Sequence, residues 1–313
     1  MKRVRCLSVP GRSSSLPRFL ILIGLLLAAA ALAAACGGNG GQGSPKSGTK
    51  VVTSIELFAD MIRQVGGQRA QVTALVPASA DPHTYEPVPS KLVAVSEADL
   101  VLINGVGLEE TLMDVIKNNV RSGAPVIEMS AGLPVLEASG QGTGNPHLWL
   151  NVRNAMQYVK VVRDALIQVD PPGEAEYRAN AQTYLAELET LDGQVEQSIA
   201  SIPAEHRKLV TSHDAFPYLA QRYGLVLVGV VLRSPGQEPS ASEVANLART
   251  IESENVPAVF KEPQLNARVL ELAAGDAGVQ VCSLYSDAFG DGVDSYVKLM
   301  QFDAGELARC LGG

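Results

Sequence analysis

The chain reads as an α/β protein of two similar lobes, each built on a mostly parallel sheet, joined by one long rigid helix. Three observations predict this. Strand-like and helix-like runs alternate from Lys50 to Met129 and again from Lys208 to Leu311, the order that builds parallel sheets covered by helices. Between those halves Tyr184, Leu188, Leu191, Val195 and Ile199 recur at steps of three and four, which lays one apolar stripe along a helix of roughly seven or eight turns. Finally, 313 residues leave room for two separate cores. The expected divisions are a signal at 1–35, a tether at 36–49, a first lobe at 50–171, the joining helix at 172–202 and a second lobe at 203–313.

In the first lobe, strands are expected at Lys50–Ser54, Gln71–Val76, Leu100–Asn104 and Pro125–Met129. Helices fall between them. Leu57, Phe58, Met61, Ile62 and Val65 share a helical face that Gly66 and Gly67 terminate, and Ser90–Glu97, Leu108–Asn118 and Asn151–Val169 follow. Gly132–Gly144 is a Gly-rich loop. Pro171 and Pro172 open the joining helix and Pro203 closes it. The second lobe repeats the pattern, with strands at Lys208–Thr211, Leu225–Leu232, Ala258–Lys261 and Val279–Leu284. Its helices are Ala215–Tyr223, Ser242–Asn255, Ala267–Ala277 and Asp294–Leu311, with Ser240 and Glu243 spaced as a capping box.

The N-terminus carries a targeting pattern. A basic opening precedes the apolar run Phe19–Ala35, which ends in small residues before Cys36, the layout of a secretory signal followed by a lipid-modified cysteine. The same run is about 17 residues long, borderline for spanning a bilayer; either way the remainder is expected outside the cytoplasm. Gly37–Lys50 is almost all Gly, Ser, Gln, Asn and Lys, the composition of a flexible tether. With Cys6 in the signal and Cys36 modified, Cys282 and Cys310 are left, and in an oxidising compartment a remaining pair is most simply a disulfide.

Charge excludes one class of partner. Residues 1–35 carry five Lys or Arg and no acid, so the remainder has 20 basic against 33 acidic residues, a net charge of −13. Nucleic-acid affinity rests on cations meeting phosphates, so none is expected here.

Three of the four histidines stand in unusual settings. His83 lies in Asp81-Pro82-His83-Thr84-Tyr85-Glu86-Pro87, His147 in Asn145-Pro146-His147-Leu148-Trp149-Leu150, and His213 in Thr211-Ser212-His213-Asp214-Ala215-Phe216. Each falls in a loop or strand end, where open α/β sheets bind ligands, and prolines stiffen two of the three. Three imidazoles suit a divalent ion of borderline softness, zinc first. A carboxylate of the second lobe is the expected fourth ligand, with Asp287 and Glu262 both following strands. His206 reads as a solvated bystander. Unprotonated imidazoles are required, so binding is expected to weaken below about pH 6.

Together with Phe260-Lys261-Glu262-Pro263-Gln264 and Tyr285-Ser286-Asp287, these segments give five motifs in order over nearly the whole chain past Cys36. The set resembles the metal-binding solute-binding lipoproteins of bacterial ABC importers, the zinc and manganese family of the cluster A-I type. The resemblance implies two lobes on one long helix, ligands His83, His147, His213 and Asp287, and Glu262 orienting one of them. It also implies Zn2+, or second Mn2+, as cargo, a membrane permease with a cytoplasmic ATPase as partners, a lipid anchor on Cys36, and action as a monomer. The chain departs from the family in having Asn145 where Asp is frequent, Asn151 and Val152 where Asp-Pro is common, and no histidine in Gly132–Gly144. Manganese binders tend to have Glu at the position of His213, so the third imidazole favours zinc.

Two rival readings exist. A secreted zinc hydrolase would use the histidines, a bound water and Glu262 as base, and a surface adhesin would hold a structural metal. No His-Glu-x-x-His sequence is present, and no enzymatic activity is expected. Asn104-Gly105-Val106-Gly107 imitates a dinucleotide fingerprint but has Glu110 at the third glycine.

Overall fold

The computed structural model describes residues 48–138, 144–232 and 239–312. The signal, Cys36 and nearly all of the tether lie outside the described residues, as does the middle of the Gly132–Gly144 loop.

The first sheet contains β1 (Thr49–Thr53), β2 (Ala70–Ala74), β3 (Leu100–Ile103) and β4 (Val126–Glu128), all parallel in the order β2-β1-β3-β4. The second contains β5 (Lys208–His213), β6 (Val226–Leu232), β7 (Ala258–Lys261) and β8 (Gln280–Ser283), parallel in the order β6-β5-β7-β8. The two lobes therefore share one winding. In each, the chain reverses direction of travel across the sheet beside the first strand, and ligands of such sheets gather outside the carboxyl ends at that point.

Helices α1 (Glu56–Gly66), α2 (Pro89–Glu97), α3 (Met113–Asn119) and α4 (Val152–Val169) belong to the first half, and α5 (Glu174–Ala200) joins the halves. The second half holds α6 (Pro217–Tyr223), α7 (Ala241–Ser253), α8 (Arg268–Ala277) and α9 (Tyr296–Leu311). α5 starts later than its sequence suggests because Pro171–Gly173 form a separate 3-10 turn. α3 is shorter than expected: the segment before Met113 is irregular, with Val106 at φ 54° between Gly105 at 86° and Gly107 at 83°. The Ser240–Glu243 capping box is present, Glu243 N–H donating to Ser240 Oγ at 3.3 Å and Ser240 N–H to Glu243 Oε2 at 2.8 Å.

The α5 stripe is buried throughout, from Tyr177 and Ala181 to Ile199. It packs into a core continuous with both lobes, reaching Val52 and Phe58 on one side and Phe260 and Leu307 on the other. A smaller separate core, including Val210, Leu247, Ile251 and Leu270, covers the outer face of the second sheet under α7 and α8. Cys282 of β8 and Cys310 of α9 form a disulfide, as the cysteine count predicts. His206 is not a free solvated side chain: it is half-buried, and its Nδ1 bonds the Leu311 carbonyl at 3.0 Å, closing the end of α9.

One acid on the buried stripe ties three helices together. Asp192 accepts from Arg153 of α4 at 2.7 Å, Arg222 of α6 at 2.6 Å and the Tyr223 hydroxyl at 2.9 Å. Removing it leaves the buried Tyr223 hydroxyl without its acceptor and the arginines with only their outer partners Glu189 and Glu196, so Asp192→Ala is expected to lower stability by about 2 kcal/mol. Urea unfolding with an unchanged slope and a lower midpoint checks this.

Candidate metal centre

His213 ends β5 and Glu262 follows β7 directly. Thr211 pairs with Phe260 across these strands, so the histidine and the glutamate emerge side by side. Glu262 Oε1 accepts from both the His213 backbone N–H, at 3.2 Å, and its Nδ1, at 2.8 Å. Ser286 Oγ donates to the other oxygen at 2.5 Å. The ring is thereby fixed with Nε2 facing away from Glu262.

His147 is held the same way by a neutral group. Asn145 Oδ1 accepts from the His147 backbone N–H at 3.1 Å and from Nδ1 at 2.9 Å. The segment is anchored beneath by Asn104, whose Nδ2 donates to the Pro146 carbonyl at 2.9 Å while Tyr158 donates to its Oδ1 at 2.5 Å. Beyond it, Trp149 Nε1 reaches across to the Ser286 carbonyl at 3.0 Å, and Phe58 meets the indole edge-on at 5.0 Å.

His83 sits in the loop after β2. Its backbone N–H donates to Asp81 Oδ1 at 2.9 Å, and Thr84 Oγ1 donates to Asp81 Oδ2 at 3.0 Å, a local turn that sets the loop. No hydrogen bond holds its Nδ1 among the described residues. Its side chain is 14% exposed, against 3% or less for the other members of the cluster, so His83 stands on the solvent side.

Asp287 completes the group. The Nε2 atoms of His83 and His213 lie 3.3 and 3.2 Å from that of His147. Asp287 oxygens lie 3.7 Å from His83, 3.4 Å from His147 and 3.5 Å from His213. Asp287 Oδ1 is buried without a hydrogen-bond partner. Four ligand atoms, all within 4.8 Å of one another, can hold one ion; a tetrahedral ion with ligands at 2.0–2.1 Å would space them about 3.3 Å apart. Of the two carboxylates that the sequence offers, Asp287 faces the three rings, whereas Glu262 is spent on His213.

Charge within the group is uneven. Burial depresses His83 to about pKa 3, against the opposing pull of Asp287. Burial also opposes charge on His213, but the adjacent Glu262 carboxylate, its hydrogen bond and Asp287 outweigh it and raise the ring to about 9. Burial pushes Asp287 up, yet the rings of His147, His213 and His83 hold it well below the usual carboxylate range.

A model of the periplasmic zinc-uptake complex component A family, ZnuA, matches residues 51–310. The chain belongs to that family. Among ZnuA-family relatives, the manganese-binding lipoprotein MntA of Halalkalibacterium halodurans is 34% identical over 288 residues, covering 90% of this chain and 94% of its own. The iron-binding protein YfeA of Yersinia pestis is 31% identical over 273 residues, covering 84% and 86%. The periplasmic zinc-binding protein TroA of Treponema pallidum superposes with a TM-score of 0.77 at 29% identity, covering 84% of this chain and 99% of its own.

Two supporting residues of this ZnuA-family fold carry no sequence signal of their own. Glu109, buried, accepts from Ser54 Oγ at 2.7 Å and from the backbone N–H groups of Asn104 and Gly105 at 2.8 and 3.0 Å. Its carboxylate fills the amide cradle that the Asn104–Gly107 sequence would otherwise offer a phosphate. Asn104 is legible only as part of that glycine pattern, although its side chain serves the His147 segment.

The raised His213 moves the expected pH limit. Below about pH 9 the free protein keeps a proton on this ring that a metal must displace, so affinity rises as pH rises, by about tenfold per unit between pH 6 and 8, and levels off above 9. His83 is neutral throughout that range. Calorimetric titration in buffers of different ionisation enthalpy should find about one proton released per metal at pH 7.5; none released would contradict the raised His213.

Proposed function

We propose that this chain captures a divalent transition metal outside the cytoplasm, Zn2+ before Mn2+, on His83, His147, His213 and Asp287, and delivers it to an ABC permease driven by a cytoplasmic ATPase. The observation that carries the reading is the convergence of four donor atoms from both lobes, all within 4.8 Å of one another, with one buried carboxylate oxygen left without a hydrogen bond. A dication that displaces the His213 proton balances the two carboxylates, Asp287 and Glu262, buried in the cleft. Relatives whose names specify manganese, iron and zinc support a transition metal; the third imidazole, softer than a carboxylate, favours zinc.

In this reading the ion enters past His83, the ring of the cluster nearest solvent, and is received by His147 and His213, which are already turned toward it. Glu262 keeps the Nδ1 proton of His213 in place, leaving Nε2 as the ligand. The mature protein begins at Cys36, is anchored there by lipid, and acts as a monomer of two lobes, 50–171 and 203–313, on the helix 172–202.

A hydrolase is less well supported. Its base would be Glu262, but both Glu262 oxygens are engaged, by His213 and by Ser286, so neither is available to a metal-bound water. An adhesin with a structural metal differs from a carrier in exchange rate.

The test is a competition titration of chelator-stripped protein with Zn2+ and Mn2+ at pH 7.5, beside His213→Glu. One zinc per chain, not displaced by manganese and exchangeable with chelator, is expected, and the variant should lose roughly tenfold or more of its zinc preference. Absence of stoichiometric binding would overturn the proposal, and zinc that never exchanges would favour the adhesin.

A further inference from the structure

Asn145 is 1% exposed, and every polar atom it has is committed. Its Oδ1 faces two donors, the backbone N–H and the Nδ1 of His147. Its Nδ2 faces a carbonyl, that of Asp214 in the second lobe, at 2.6 Å. The amide orientation is thereby fixed by chemistry, since a backbone N–H must meet oxygen and a carbonyl must meet N–H. Its backbone N–H donates to the Leu136 carbonyl at 2.8 Å, and its own carbonyl accepts from the Tyr218 hydroxyl at 2.8 Å, which also accepts from Leu136 N–H at 2.9 Å.

Resting on the metal-capture reading, we propose that Asn145 is the positioning residue of the site. One end of its amide holds His147 in the tautomer that presents Nε2, and the other end fastens that histidine to the second lobe beside His213. The first task needs an acceptor and the second a donor, so only a carboxamide performs both. Asp at this position would set a carboxylate oxygen against the Asp214 carbonyl. The arrangement differs from the grip on His213, where a carboxylate holds the ring and both partners belong to one lobe. In this chain the orientation of His147 and the alignment of the lobes are one event.

The experiment compares Asn145→Ala, Asn145→Asp and Tyr218→Phe with the wild-type chain. In the metal-free protein, nitrogen-15 imidazole spectra should give wild-type His147 as the Nδ1–H tautomer, Asn145→Ala as a mixture, and Asn145→Asp as the Nδ1–H tautomer again. Zinc affinity should fall 10- to 100-fold in Asn145→Ala, the range found for partners that orient metal-binding histidines. Tyr218→Phe cuts a neighbouring link between the lobes without touching His147, and should change affinity by less than about threefold. Equal losses in Asn145→Ala and Tyr218→Phe, with an unaltered His147 tautomer in both, would reduce Asn145 to lobe packing and overturn the inference. A wild-type chain that binds no zinc overturns the proposed function and this inference with it, whereas zinc binding unchanged in Asn145→Ala overturns the inference alone.

Discussion

Three imidazoles and a carboxylate can share one desolvated space only if the protein around them is stiff enough to keep them there. Their candidate ligand atoms all lie within 4.8 Å of one another, and each gives up hydration to do so. Much of the rest of the molecule serves that confinement. Two of the rings bond through Nδ1 to an oxygen that the same residue's backbone N–H also holds, so the acceptor that orients each ring is itself fixed to the main chain. The third ring, His83, lacks such a grip among the described residues and lies on the solvent side of the cluster.

The second requirement is that the lobes keep their register, since His83 and His147 come from one and His213 and Asp287 from the other. The joining helix alone does not do this. Trp149 to Ser286, Tyr296 to Trp149, Tyr218 to Asn145 and Phe289 to Ala78 are hydrogen bonds between the halves, and the main core is continuous through both. Asp192 on α5 then locks α4 to α6. A molecule joined at so many points accommodates small tilts more readily than wide hinge closure, in keeping with a cargo the size of an ion.

Much of this is legible in the sequence, for identifiable reasons. The α5 stripe is visible because Tyr184, Leu188, Leu191, Val195 and Ile199 face one continuous core, and periodicity reports a one-sided environment. The histidines are visible because they are few and sit in proline-stiffened or strand-end segments. Other features are not legible, because they depend on the pairing of distant residues. Asp192 occupies an apolar stripe and has no local partner that betrays its role; its donors lie 30 or more positions away in either direction. Asn145 looks like a departure from a frequent Asp, and only the approach of the Asp214 carbonyl reveals why an amide fits. His206 reads as solvated because its neighbours are polar, yet the end of α9 folds against it. The start of α3 is misread because Leu108 and Leu112 mimic helical spacing, while Glu109 draws the chain into an irregular turn over Ser54 and Gly105.

The proposed capture requires that the three Nε2 atoms and Asp287 bind one metal directly. X-ray absorption spectroscopy of the zinc-loaded protein tests it at the metal itself. Three imidazole nitrogens and carboxylate oxygen are expected in the coordination shell, at about 2.0 to 2.2 Å, with the imidazole multiple-scattering signal reduced by a third in His83→Ala. A shell dominated by water oxygens or by sulfur, or one unchanged by that substitution, would contradict it.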